Sequence, residues 1–202
     1  MKTFTKITAI LLLVLTTTSC FVDGLAGIKG NGDVVTEDRT IHSNFNSIKV
    51  QQGIQVFLTQ GNSTELRVEA DENIIDLLIT EVKNNELKIY FEKNVYKAKS
   101  RNVYLTANEI SKIKTSSGAL VKTENTIETN TIELDSSSGS SIDADELTCI
   151  EAYANASSGA NINVNVSDKL TASASSGGDI DFEGNPKNVN KDTSSGGSVS
   201  GN

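Results

Sequence analysis

The sequence predicts an all-β protein built as a stacked parallel coil. Three observations carry that prediction. The phrase Ser-Ser-Gly recurs at Ser116-Ser117-Gly118, Ser137-Ser138-Gly139, Ser157-Ser158-Gly159, Ser175-Ser176-Gly177 and Ser194-Ser195-Gly196, with the glycines 21, 20, 18 and 19 residues apart. Three places after each glycine stands Val121, Ile142, Ile162, Ile180 or Val199, and one place after it a small residue, Ala119, Ser140, Ala160, Gly178 or Gly197. A unit of that length cannot hold a crossover helix between parallel strands, but it suits one turn of a coil made of short strands and tight corners.

The alternation has period two, the mark of strands with one face buried. Before the glycines, Ile113, Leu134, Ala154 and Ala172 continue the inward set, while Asn161, Asn163, Asp179, Asp181, Ser198 and Ser200 fall on the outward offsets. Glycine accepts positive φ without steric cost, so Ser-Ser-Gly is the corner. Turns stacked about 4.8 Å apart would rise about 24 Å over five copies. Serines at equal offsets are expected to form hydroxyl ladders along the axis. A Ser/Gly linker would lack the in-register Val and Ile, and a meander of hairpins needs no identical phrase in each unit.

The pattern occurs once upstream. Ile48-Lys-Val-Gln-Gln-Gly53-Ile-Gln-Val56 matches Ile113-Lys-Thr-Ser-Ser-Gly118-Ala-Leu-Val121 position by position. The coil is therefore expected to begin near Phe45, with an irregular insertion before the regular turns of about 105–202. Strands are expected at 39–42, 48–50, 54–58, 64–70, 87–91 and 102–106. Asp71 is placed to N-cap a short helix carrying Ile74, Ile75, Leu77 and Leu78. This block holds Phe45, Phe57, Tyr90, Phe91, Tyr96 and Tyr104, whereas the repeat has Tyr153 and Phe182. It should cover the N-terminal end of the coil, whose strand groups would otherwise be unpaired.

The first residues read as a targeting segment: Lys2 and Lys6, then an apolar run from Ile7 to Leu15 that is too short to span a bilayer. Thr17-Thr18-Ser19-Cys20 resembles the bacterial lipobox, with Thr17 where Leu is usual. That resemblance implies a signal peptide over 1–19, lipid attachment at Cys20, a tether over 20–33 and a domain over 34–202. An ordinary secretory signal with an incidental cysteine is the alternative. With Cys20 lipidated, Cys149 has no disulfide partner and reads as an inert buried thiol.

Several motifs in order resemble the head GIN domain family of auto-transporter adhesins, found in bacterial lipoproteins and envelope proteins. They are Gly30-Asn31-Gly32-Asp33-Val34, Arg39, Phe45-Asn-Ser-Ile48-Lys-Val50, Gly53-Ile-Gln-Val56 and Gln60-Gly61-Asn62, followed by the Ser-Ser-Gly turns. The resemblance implies a single right-handed parallel β-helix of pectin-lyase-like shape. It implies no catalytic residues and no cofactor.

Charge narrows the partners. Residues 105–202 carry 14 acids and 6 lysines, and the three arginines, Arg39, Arg67 and Arg101, all precede the regular repeat. An acidic coil without arginine argues against nucleic acid. The lone histidine, His42, has no nucleophilic serine elbow to serve. Asp143, Asp179 and Asp181 are the differing acids of the coil. They are candidates for an ion or for a carboxylate pair, with a solvated face as the default. Tyr153 stands alone as an outward aromatic. The expected function is a non-catalytic envelope lipoprotein, an adhesin or surface interaction module. It would be held to the membrane, the outer membrane in particular, by its lipid and would present a coil face to a protein or glycan. A structural envelope protein and, behind it, a carbohydrate-active enzyme are the alternatives. Whether the domain faces the periplasm or the exterior stays open.

Overall fold

The computed structural model describes residues 27–201. The signal segment, the lipobox and Cys20 lie outside the described residues. The N-terminal block comprises β1 (Ile28–Lys29), β2 (Val34–Arg39), β3 (Ser47–Val50), β4 (Gln55–Gln60), β5 (Glu65–Asp71), β6 (Leu78–Lys83), β7 (Glu86–Phe91), β8 (Val95–Tyr96) and β9 (Arg101–Ala107). The repeat comprises β10 (Lys112–Thr115), β11 (Leu120–Thr123), β12 (Ile127–Ser137), β13 (Ser141–Ser157), β14 (Asn161–Ser175), β15 (Asp179–Glu183), β16 (Asn188–Ser194) and β17 (Ser198–Gly201).

The repeat stacks in parallel and in register, forming two ladders joined at the corners. One ladder aligns Leu87, Ile48, Ile113, Leu134, Ala154, Ala172 and Lys191 across successive strands. The other aligns Val103, Val56, Val121, Ile142, Ile162, Ile180 and Val199. Nearly all of these residues are buried, as the inward offset requires. The β3–β4 segment joins both ladders, so the upstream match at Gly53 is a true rung.

Each corner is a tight turn. Ser117 and Gly118 both have positive φ, 55° and 73°, and Ala119 N–H donates to Ser116 C=O at 3.3 Å. Positive φ at both central residues is what a type I′ turn requires. The second serine thus shares the strained position with the glycine, and the same holds at Ser138, Ser158, Ser176 and Ser195. The corners are tied along the axis by backbone bonds: Gly118, Gly139 and Gly159 N–H donate to Ser138, Ser158 and Ser176 C=O at 3.0–3.1 Å. This axial tie replaces the expected hydroxyl ladder. The hydroxyls that do interlock, Thr115, Ser136 and Ser140 at 2.8–2.9 Å, lie inside the coil. The small residue after the glycine has a steric cause as well. A Cβ on Gly178 would meet Ala156 O at 2.4 Å.

The sheet is mixed, and this corrects the expectation of parallel pairing throughout. β6 pairs antiparallel with β7, β5 with β9, and β2 with β5. The described residues form an all-β, curled open sheet. These antiparallel strands cover the N-terminal edge of both ladders, as the sheet-edge argument anticipates. The expected helix after Asp71 is a 3-10 turn, Ile75–Leu77, without a side-chain cap. Asp71 ends β5 instead. Its buried carboxylate accepts N–H bonds from Gly32 (2.8 Å), Lys99 (2.9 Å) and Ser100 (3.0 Å). Ile28–Lys29, within the segment read as tether, pairs with β8.

At the opposite end, β16 is exposed along its length. The inward position there belongs to Lys191. Its Nζ lies 4.8 Å from the centre of the Phe182 ring and donates to Val199 C=O at 3.1 Å. Among the described residues β16 pairs on one side only, and an inward-pointing charge on such an edge strand opposes further strand addition.

Candidate functional site

The second ladder builds one continuous outward file. Asp38, Arg67, Tyr104, Phe57, Lys122, Asp143, Asn163, Asp181 and Ser200 stand side by side at equal register on β2, β5, β9, β4, β11, β13, β14, β15 and β17. Over the coil the file is polar. Over the N-terminal block it carries two aromatic rings. Their neighbours in sequence, Val56 and Val103, are fully buried, so alternation turns Phe57 and Tyr104 outward.

The two rings stack, with centroids 5.2 Å apart and planes 18° from parallel. The Arg67 guanidinium lies 4.9 Å over Tyr104, within cation–π range. Beside them opens a cavity of about 810 Å³. Thr59, Thr64 and Thr106 are among the residues that line it, together with the acidic Asp38, Glu65 and Glu124. Arg39 also borders the cavity, but its guanidinium donates to the carbonyls of Leu78 and Ile75.

The acids singled out in the sequence do not converge. Asp143 and Asp181 share the file but are separated by Asn163, and Asp179 lies two residues away along its strand. Asp181 accepts a hydrogen bond from Ser200 Oγ. Asp179 Oδ1 is buried without a protein partner. Among the described residues no group of three or more His, Cys, Asp or Glu side chains is placed to hold a metal ion. Asp145 crowds this region. Burial pushes its carboxyl above the ordinary value, and the Asp143, Glu183 and Glu146 charges add to the effect.

The remaining candidates separate. Cys149 is buried, its thiol pushed up to about 12 by burial, and Sγ donates to Asn165 C=O at 3.4 Å. A thiol so poised stays protonated and unreactive. Tyr153 is exposed on the other ladder, held by Glu151 and Lys169. His42 is exposed beyond β2.

The stacked aromatic pair is the feature that sequence reasoning missed. Half the signal was present, because aligning Gly53 on Gly118 sets Phe57 at the offset of Lys122. The other half was not, since β9 carries no Ser-Ser-Gly and its place beside β4 depends on pairing.

An all-β scaffold of stacked, glycine-cornered rungs with an outward file defines the class: a repeat protein that offers a surface. The chain belongs to the family described as putative auto-transporter adhesin, head GIN domain, whose model matches residues 44–143 and 129–186. No protein of curated function matches the sequence. Among solved structures, a putative adhesin from Bacteroides fragilis is 19% identical. The match covers 87% of this chain and 100% of that one with a TM-score of 0.59, a likeness of fold. A putative lipid binding protein from Parabacteroides distasonis is 17% identical, over 87% of this chain and 99% of that one, with a TM-score of 0.48. A putative adhesin from Parabacteroides merdae is 16% identical, over 88% and 99%, with a TM-score of 0.46.

Proposed function

We propose that this chain is a lipid-anchored protein of the bacterial envelope that makes non-catalytic contacts at a surface, as an adhesin does. Membership in an adhesin-named family supports the reading and favours binding over catalysis. The observation that carries it is the outward file. Nine adjacent strands present side chains at a spacing of about 4.8 Å on a backbone whose hydrogen bonds are already used between the edge strands β2 and β17. Such a surface is rigid and shallow, suited to repeated contacts along an extended partner rather than to enclosing a reacting group. In this reading the two ladders are sides of one right-handed parallel β-helix. Residues 1–19 are the signal peptide, Cys20 carries the lipid in the outer membrane, and the residues from there to the start of β1 link it to the domain.

Three measurements on intact cells test the reading. A palmitate analogue should label the wild-type protein and not the Cys20→Ser variant. Added protease should remove the domain from whole cells. Deletion should reduce attachment to glycan- or protein-coated surfaces, and re-expression should restore it. Full protease shielding together with unchanged attachment would sink the surface role.

A further inference from the structure

We infer that the cavity over Phe57 and Tyr104 binds an uncharged glycan, seating a pyranose ring against the aromatic pair. The inference rests on the surface-contact reading above and assigns it a ligand class and a place. The location is the first argument. Along the same file the coil carries Lys122, Asp143, Asn163, Asp181 and Ser200, residues at ease in water. Phe57 and Tyr104 break that rule, although Val56 and Val103 already fill the core behind them. Both rings are only half-buried and line a cavity. Its size lies in the range of small-molecule sites, about 300–1,000 Å³.

The lining selects the ligand. A pyranose has a C–H face that packs on an aromatic ring and a rim of hydroxyls that both donate and accept. Phe57 meets the first with the part of its ring that Tyr104 leaves open, and Tyr104, held between Phe57 and the Arg67 guanidinium, backs that ring and offers its edge. The hydroxyls of Thr59, Thr64 and Thr106 and the carboxylates of Asp38, Glu65 and Glu124 meet the second. A carboxylate accepts from two neighbouring hydroxyls at once. Charge then discriminates. Three carboxylates outnumber the two guanidiniums of the lining, and the Arg39 charge is already paired with Glu37, outside the lining, while its N–H groups donate to the Leu78 and Ile75 carbonyls. Uronate, sulfate or phosphate groups on a sugar would be repelled here, and neutral sugars would not. The site is open, so single-site affinity is low and dense presentation on a surface makes it effective.

The test uses the purified mature chain against immobilised neutral glycans (malto-, manno- and galacto-oligosaccharides and N-acetylhexosamine oligomers) and oligogalacturonate. Saturation-transfer NMR then identifies the sugar protons in contact. Neutral glycans should be retained and oligogalacturonate should not. Tyr104→Ala and Phe57→Ala should each weaken binding about tenfold. Phe57→Leu, which keeps the apolar volume and loses the ring, should weaken it several-fold with an unchanged melting temperature. Tyr153→Ala, on the other ladder, should leave binding unchanged. Retention of no neutral glycan, preference for oligogalacturonate, or indifference to Phe57→Leu overturns the inference. Glycan binding by a domain that intact cells shield from protease would remove the surface role and leave the site standing. Attachment by cells whose purified domain retains no glycan would do the reverse.

Discussion

The N-terminal block and the regular coil solve the same edge problem with different chemistry. In the coil each rung is held by its copy above and below. Aligned aliphatic side chains pack inside, and corner amides hydrogen-bond along the axis. Outside the β3–β4 rung the block has no such copies, and besides backbone pairing, side chains tie distant parts of the chain together. Asp71 ties Gly32 to Lys99 and Ser100. Arg39 reaches from β2 to the carbonyls of Ile75 and Leu78. Repetition makes a scaffold, and irregularity makes room for a site. The stacked rings and the cavity sit where the repeat is broken.

The largest expected effects strike each region through its own chemistry. Ile113→Ala empties a fully buried position between two aligned neighbours and should cost about 4 kcal/mol in urea unfolding. Asp71→Ala leaves three backbone N–H groups of the block without their acceptor and should cost about 3 kcal/mol. If Asp71→Ala proved neutral, the contrast between the regions would fail.

A smaller effect separates corner geometry from corner packing. A Cβ on Gly159 has open space around it, but φ is +71°. Gly159→Ala should therefore cost about 1 kcal/mol through backbone strain alone. A Cβ on Gly178 collides with backbone, so Gly178→Ala should cost clearly more. Equal losses in the two variants would show that packing does not set the small residue after the phrase.

The smallest effects concern protons and have opposite signs in the two regions. Burial pushes the Asp71 carboxyl up. The N–H bonds from Ser100, Gly32 and Lys99 and the Arg101 charge outweigh that and hold it below its ordinary value of 3.8. Its stabilisation is complete above about 3.8 and is lost as pH falls through the folded value. Asp145 is raised, so it binds its proton more readily folded than unfolded. It destabilises the coil at neutral pH and ceases to do so as pH falls. Asp145→Asn should stabilise the fold slightly at neutral pH, by less than about 0.5 kcal/mol in urea unfolding, because the group is largely in water.

The parallel, in-register strands of the repeat were legible in the sequence because their determinants are local. Val121, Ile142, Ile162, Ile180 and Val199 keep one offset from a glycine that each turn needs. The block was less legible because its determinants are not. The three N–H partners of Asp71 lie 28 to 39 residues away, and nothing beside Asp71 distinguishes that role from a helix cap. One antiparallel pairing did leave a local trace. Asn84 and Asn85, with φ of 54° and 60°, close the β6–β7 hairpin, as a two-residue type I′ loop requires. At the site, the outward direction of Phe57 followed from alternation, and its stacking on Tyr104 depended on a strand pairing that no repeated phrase announced.

The central claim is that the two regions are held by separable chemistry, and pulse-labelling hydrogen exchange during acidification tests it most directly. As pH falls below about 3.8, through the folded value of Asp71, the amides of Gly32, Lys99 and Ser100 should lose protection first. The corner amides of Gly118, Gly139 and Gly159 should stay protected over the same range. Simultaneous opening of both sets, or earlier opening of the corners, would contradict the account.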